Sequence, residues 1–232
     1  LNYKGLNDVK PTELEIPTSF TEDYGTSRNN YYVIKISDAN DVNKKAFYAH
    51  TNLEKLTFVN DGPIANSKFT INIGTYAFYG CTKLKEITLP ENTLSIGEYA
   101  FQYTSVENFE IPKGTQTIGA NAFYNNQSLN IVTVAAGNTK LETLGNQVFA
   151  NSTLKVLDLT NASKLKYIGS AADKSPFLYD LSVVNNQLTT VKLPASVENV
   201  YNSFKNCTAL TTIEGLDATK ITAFLSDAFN NC

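Results

Sequence analysis

Apolar and polar positions recur along this chain with one long period. The run Ile73 to Pro90, IGTYAFYGCTKLKEITLP, carries its apolar residues at Ile73, Ala77, Phe78, Leu84, Ile87 and Leu89. It returns from Ile96 as IGEYAFQYTSVENFEIP, from Ile118 as IGANAFYNNQSLNIVTV and, more loosely, from Leu144 as LGNQVFANSTLKVLDL. The Ile/Leu–Gly pairs that begin at 73, 96, 118, 144 and 168 are 23, 22, 26 and 24 residues apart. A period in the low twenties is the mark of a solenoid.

Each unit ends in an alternating stretch. From Leu84 to Leu89, Ile87 and Leu89 fall on one side and Glu86 and Thr88 on the other, which predicts a half-buried strand. Pro90, Pro112 and Pro194 close their strands, because proline cannot donate to a ladder. The recurring Gly74, Gly97, Gly119, Gly145 and Gly169 imply either a positive φ or close approach of the next coil. The triplet ending in Phe78 and its equivalents is too short for a helix, so a single helical or 3₁₀ turn is expected to drop the phenylalanine into the core. One coil cannot stand alone: ordering costs roughly 1–2 kcal/mol per residue, and five or six buried apolar side chains return only about 1.5–3 kcal/mol each. Stacking is required, with about 4.8 Å added per coil if the strands pair in parallel.

The composite IGxxAFxxCxxLxxIxLP resembles the repeat of the BspA-like bacterial leucine-rich repeat family, over roughly Ala46 to Cys232. The resemblance implies a β-rich repeat solenoid: a right-handed leucine-rich-repeat-like coil with a parallel sheet and short helical or 3₁₀ turns. It also implies a secreted or surface-anchored protein of a host-associated microbe. Some members of the family are adhesins for host matrix proteins, and no common set of binding residues carries over to this chain.

Residues 1–45 do not match the repeat and are expected to form an N-terminal cap or degenerate first coil. Leu14 to Pro17 resembles a strand end, Tyr31 to Ser37 alternates as a strand, and Thr21 to Asn30 reads as a polar loop. The solenoid proper is expected over 46–232, with an irregular unit at about 168–199 where Asp173 stands in place of phenylalanine. The last unit stops three residues after Phe229, before the strand that follows each earlier phenylalanine, so that end is expected to be uncovered.

Charge changes the picture by exclusion. A net charge of −3 with no Lys/Arg cluster argues against nucleic acid. No run of 18 apolar residues exists, so no membrane span is expected. The chain begins at Leu1 and contains no methionine, which implies a processed or trimmed N-terminus with any signal or lipid anchor removed; the extracellular or cell-surface location expected is what the resemblance implies.

Candidate chemistry is sparse. The single histidine and three cysteines share one repeat position, three residues after the core phenylalanine: His50, Cys81, Cys207 and Cys232, with Thr104, Asn126 and Ser152 in other coils. A position that accepts all of these is a small-polar ladder site. The cysteines are therefore expected to be free thiols packed as small core residues, not a Cys–His nucleophile or a zinc site. Asp38 to Asn43 partly matches a calcium loop, but Val42 takes a ligand position and the glycine is missing, so a polar turn is expected. Four sequons, at Asn126, Asn151, Asn161 and Asn206, are expected by chance in a chain so rich in Asn, Ser and Thr. Neither a metal nor a cofactor is implied.

The expected function is a non-enzymatic cell-surface or secreted binding or adhesion scaffold that presents its repeat sheet to a host or microbial surface protein or glycan. The alternatives are a structural spacer without its own ligand and a carbohydrate-active enzyme. For the enzyme, Glu86 and Glu110 on adjacent coils are the pair within the span of an inverting glycosidase. For the scaffold, the outward column of the strands is mostly polar except at Ile131 and Val156, which fall on successive coils. Either a loop from the irregular unit after Ile168, Phe177 to Tyr179, folds over them, or, with Thr133, Asp158, Glu86 and Glu110 around them, these two are the candidate partner-binding residues.

Overall fold

The computed structural model describes residues 12–17, 19–24, 27–32, 35–36, 47–59, 70–168, 187–201, 203–204, 206–221, 223–225, 228–229 and 231–232. The first four strands are β1 (Glu13–Pro17), β2 (Ser19–Tyr24), β3 (Ser27–Tyr32) and β4 (Lys35–Ile36). Next come β5 (Lys55–Val59), β6 (Ile71–Ile73), β7 (Glu86–Thr88), β8 (Thr93–Ile96), β9 (Asn108–Ile111), β10 (Thr117–Ile118) and β11 (Ile131–Val134). The chain continues with β12 (Thr143–Leu144), β13 (Val156–Asp158), β14 (Tyr167–Ile168), β15 (Thr190–Lys192), β16 (Asn199–Tyr201), β17 (Thr212–Glu214) and β18 (Ala223–Leu225).

These strands sort into two ladders, where one parallel sheet was expected. The strands after each phenylalanine pair in the orders β1-β5-β7 and β9-β11-β13-β15-β17. The strands that end at each Ile/Leu–Gly pair form a second ladder, in the orders β4-β6-β8-β10-β12 and β14-β16-β18. Pairing within both ladders is parallel and joins residues one coil apart, as in Ile118↔Leu144 and Val132↔Leu157. β1 and β4 extend the two ladders by one coil beyond the recognisable repeat. Between them, β2 and β3 pair antiparallel, so within the polar stretch expected as a loop the residues 21–24 and 27–30 are paired strand. Backbone pairing of a hairpin needs no apolar side chains, which is why composition misread it.

The core is a spine of phenylalanines. Phe47, Phe78, Phe101 and Phe123 stack with ring centroids 5.1, 5.3 and 5.2 Å apart, Phe149 continues the row at 5.8 Å, and Phe204 stacks on Phe229 at 5.4 Å. Leu84, Val106, Leu129 and Leu154 are fully buried beside them, one from each coil. Each stacked pair adds roughly 0.5–1.5 kcal/mol beyond burial.

The turn that carries each phenylalanine is built from single i→i+3 bonds, such as Ala77 N–H to Gly74 O at 3.2 Å and Cys81 N–H to Phe78 O at 3.3 Å. No helix develops, because the backbone turns left-handed on both sides of the phenylalanine. Two residues before it, Tyr76, Tyr99, Asn121 and Gln147 have φ of 58°, 58°, 56° and 52°. Two residues after it, Gly80, Tyr103, Asn125 and Asn151 have φ of 71°, 60°, 56° and 52°. The freed amides bond to the next coil instead: Phe78 N–H reaches Ala100 O at 2.8 Å and Phe101 N–H reaches Ala122 O at 2.8 Å. The turns thereby form a third column of inter-coil hydrogen bonds.

The repeated glycines are explained by close approach. Gly97, Gly119 and Gly145 have no positive φ, but an added Cβ would lie 2.5 Å from Thr75 N, 2.6 Å from Glu98 N and 2.4 Å from Ala120 N respectively. The neighbouring coil's backbone occupies the space a side chain would need.

Candidate functional site

The outward face of the first ladder is set by register. One column runs Asn108, Ile131, Val156, Thr190, Thr212, and the next runs Glu110, Thr133, Asp158, Lys192, Glu214. Ile131 is directly opposite Val156, and Thr133 opposite Asp158. Ile131 is 37% exposed and Val156 half-buried, in a face whose other members are polar. The structure thus brings together five of the six candidate residues: Ile131, Val156, Thr133, Asp158 and Glu110. Glu86 stands apart. It lies on β7, in the other segment of the ladder, and forms an ion pair with Lys55 at 3.4 Å. No ladder joins β7 to β9, so Glu86 and Glu110, the adjacent-coil carboxylate pair considered for a glycosidase, are not register partners. The segment Phe177 to Tyr179, which a covering loop over Ile131 and Val156 would use, lies outside the described residues, as does Asp38 to Asn43.

Beside the apolar pair the face is charged and ordered. Lys192 lies 3.1 Å from Glu214 and 3.9 Å from Asp158. The hydrogen bond and charge of Glu214, with the charge of Asp158, push the Lys192 ammonium up from its ordinary value. Asp158 Oδ1 also accepts bonds from the Thr160 backbone N–H and hydroxyl.

The position three residues after each phenylalanine is a structural ladder. Thr104 and Ser152 donate to the carbonyls of their own coils' Phe101 and Phe149 at 2.8 and 2.6 Å. Cys81 and Cys232 donate one coil back, to Phe47 O at 3.1 Å and Phe204 O at 2.9 Å. Asn126 links the two patterns by donating to the Thr104 hydroxyl at 3.0 Å. All three cysteines are free; Cys81 and Cys207 are buried as expected, whereas Cys232 is exposed. Burial pushes Cys81 and Cys207 up to about 12, which keeps both thiols protonated and unreactive as nucleophiles. Asn126 is fully buried, so that sequon has no accessible acceptor.

The second ladder carries a cleft of about 550 Å³ that the sequence reading missed, with Tyr167, Lys220 and two lysine–glutamate pairs in its wall. Lys166 meets Glu198 at 2.9 Å and Lys164 lies 4.0 Å from Glu142. Both glutamates face a lysine, so the cleft holds no carboxylate pair poised for acid–base work. A cluster of exposed tyrosines on the turn column was also missed, because those tyrosines are scattered in sequence at 48, 76, 79, 99 and 103. Among the described residues no group of three His, Cys, Asp or Glu side chains is placed to hold a metal ion. No described helix is long and apolar enough to cross a membrane.

Comparison with known proteins agrees with this architecture. The BspA type leucine rich repeat region matches in six copies, over residues 40–175 and 179–232. No curated protein matches at a significant level. Among solved structures, the leucine rich repeat protein TpLRR of T. pallidum is 22% identical with a TM-score of 0.53, over 89% of this chain and 71% of that one. A leucine-rich repeat protein from Bacteroides ovatus is 20% identical with a TM-score of 0.37, over 97% of this chain and 73% of its own. A leucine rich cell surface protein from Faecalibacterium prausnitzii is 18% identical with a TM-score of 0.27, over 96% and 91%.

Proposed function

Because the chain belongs to the BspA-type leucine-rich repeat family, we propose that it is a non-enzymatic, surface-exposed or secreted scaffold that binds a protein or glycan partner on its outer strand ladder. The observation that carries this reading is the pair Ile131 and Val156. They are opposed in register and incompletely buried, in a column whose other residues are Asn108, Thr190 and Thr212. An apolar centre with a polar rim is the usual anatomy of a contact patch, and Glu110, Thr133, Asp158 and Lys192 supply that rim. Nothing about folding requires the pair, since threonine and asparagine fill the same column elsewhere.

The test is a double substitution, Ile131→Asp with Val156→Lys, assayed against a panel of immobilised host matrix proteins and a printed glycan array. Loss of binding with an unchanged circular dichroism spectrum and unfolding midpoint supports the reading. Full retention of binding places the contact elsewhere. A wild-type chain that captures nothing on either surface favours the spacer reading instead.

A further inference from the structure

The turn column, which joins the two ladders, has a composition unlike the rest of the chain. Its segments in four successive coils, residues 75–82, 98–105, 120–127 and 146–153, contain a single charged side chain, Glu98, in a protein with 19 basic and 22 acidic residues. Tyrosines and carboxamides fill it instead.

The tyrosines form one cluster. Tyr76 stacks on Tyr99 with centroids 4.7 Å apart and planes 7° apart, and Tyr48 stacks on Tyr79 at 4.9 Å and 1°. Tyr79 meets Tyr76 edge-on at 5.5 Å and Tyr103 edge-on at 5.4 Å. Tyr48 and Tyr103 remain 38% and 37% exposed, and Tyr76, Tyr79 and Tyr99 are half-buried.

Backbone conformation points the same way. Tyr76, Tyr99 and Tyr103 hold φ of 58° to 60°, a region that suits glycine and asparagine and strains an aromatic residue. The equivalent positions further along are Asn121, Gln147, Asn125, Asn151, Asn206 and Asn231, all but Gln147 the residue that backbone preference favours. Tyrosine therefore occupies sites where another residue folds better, and strain of that kind gathers at functional positions.

Immediately beyond Tyr103 the column turns into an amide ladder. The backbone links Tyr103 N–H to Tyr124 O at 3.2 Å and Asn125 N–H to Ala150 O at 3.0 Å, so the surface is continuous. Asn151 Nδ2 and Gln127 Nε2 both donate to Asn125 Oδ1, at 2.7 and 3.0 Å. That arrangement fixes the amide planes and leaves the side-chain oxygens of Asn151 and Gln127 without a protein donor among the described residues.

We propose that this tyrosine–amide edge is a binding site for a neutral oligosaccharide. A sugar ring offers C–H faces that pack on aromatic rings and hydroxyls that donate to and accept from planar amides and phenols. Both chemistries lie side by side on this edge. Successive coils repeat about every 4.8 Å, close to the length of one sugar unit, so consecutive rings of a chain meet equivalent columns. A nucleic acid or a charged peptide finds little that is complementary in these four segments, as Glu98 is their only charge. Desolvation, with neighbouring tyrosines, pushes the Tyr76 and Tyr79 phenols above their ordinary values, and Glu98 adds to the effect at Tyr76, so these two stay neutral.

This inference rests on the binding-scaffold reading but places a glycan on a different face from the strand ladder. The experiment is a printed array of neutral gluco-, manno- and galacto-oligosaccharides beside sialylated and sulfated ones, followed by titration of the best neutral binder. The wild type, the double variant Tyr99→Asn/Tyr103→Asn, a second variant Gln127→Ala/Asn151→Gly, and Ile131→Asp/Val156→Lys are compared. The expected result is neutral-glycan binding by the wild type, weakened at least tenfold in both turn-column variants and unchanged in the strand-ladder variant. The Asn variants should fold, since asparagine is what later coils use there; the amide pair tests the site independently if they do not. Binding only to acidic glycans, no binding to any neutral glycan, or full affinity in the turn-column variants overturns the proposal. Loss in the strand-ladder variant alone overturns it while leaving the scaffold reading intact.

Discussion

Replacing Gly119 by alanine separates two explanations of the repeated glycine, because they predict opposite signs. If glycine were present only by default, alanine at a position with ordinary φ would stabilise the fold by about 0.4–1 kcal/mol through the unfolded chain. The structure demands the reverse. An added Cβ at Gly119 falls 2.6 Å from Glu98 N and 2.8 Å from Gly97 C, both backbone atoms of the preceding coil. Ordinary carbon contacts lie at about 3.5–4.0 Å, so the coils must part locally by roughly 0.8 Å. The bonds Gly119 N–H to Ile96 O at 2.8 Å and Tyr99 N–H to Ala120 O at 3.0 Å span that gap and would stretch out of range. Two weakened backbone bonds at about 1 kcal/mol each, together with overpacking of about 1–3 kcal/mol, outweigh the entropic gain. A net loss of about 2–4 kcal/mol is expected.

Because a solenoid does not unfold as one two-state unit, the readout is amide exchange at Tyr99, Gly119 and Phe123 alongside the urea midpoint. Gly80→Asn is the control: its φ is +71°, its nearest neighbour to an added Cβ is Ala49 Cα at 3.6 Å, and asparagine takes the equivalent place at 125 and 151. It should shift the midpoint by less than about 1 kcal/mol. A Gly119→Ala protein with equal or higher stability and unchanged exchange would refute close approach as the cause.

The Thr93 hydroxyl is buried without a hydrogen-bond partner among the described residues, so Thr93→Val should raise stability by about 1 kcal/mol in urea titration; a lower midpoint would show that the hydroxyl is satisfied. Cys81 and Cys207 are pushed from 9.0 up to about 12 in the fold, so the stability they confer is complete below pH 9 and is lost as pH rises towards 12. Urea midpoints at pH 8 and pH 10.5 should diverge in the wild type and converge in Cys81→Ala/Cys207→Ala, and an identical divergence in both proteins would remove the thiols from the account. At neutral pH a thiol reagent should label exposed Cys232 in the native protein and the other two only after unfolding, as quenched labelling with mass mapping would reveal.

The first ladder was legible because each of its strands spans enough alternation to show a period of two, as Glu86, Ile87 and Thr88 do. The second ladder was not, since β10, β12 and β14 are two residues long and no alternation fits in two positions. The Ile/Leu–Gly pairs that gave the repeat its period are the ends of those strands, read first as a turn signal alone. The phenylalanine triplets gave the right inward direction and the single i→i+3 turn, but not the left-handed backbone that flanks it. Propensity at a triplet says nothing about the left-handed residues on either side, and tyrosine at 76, 99 and 103 hides a conformation that asparagine would have advertised. The columns of polar side chains three residues after phenylalanine were readable because Cys, Thr and Ser share one capacity, a hydrogen bond to a turn carbonyl, and Asn126 donates to the Thr104 hydroxyl of the same column.

Stacking turns each repeat position into a column, so a residue's meaning lies in its agreement with the column more than in its own type. Where the column is uniform, as with the phenylalanine spine or the close-packed glycines, packing accounts for it in full. Function is to be sought where one member departs from its column at a cost. Ile131 and Val156 leave apolar surface in a column of Asn and Thr, and Tyr99 and Tyr103 accept positive φ in columns where Asn121 and Asn125 follow one coil later. Both departures fall within the regular coils between residues 75 and 158, where Phe78, Phe101, Phe123 and Phe149 stack without interruption. A rigid stretch of solenoid is the part best able to hold a preorganised surface, and it supports two separate faces there: one on the strands and one on the turns.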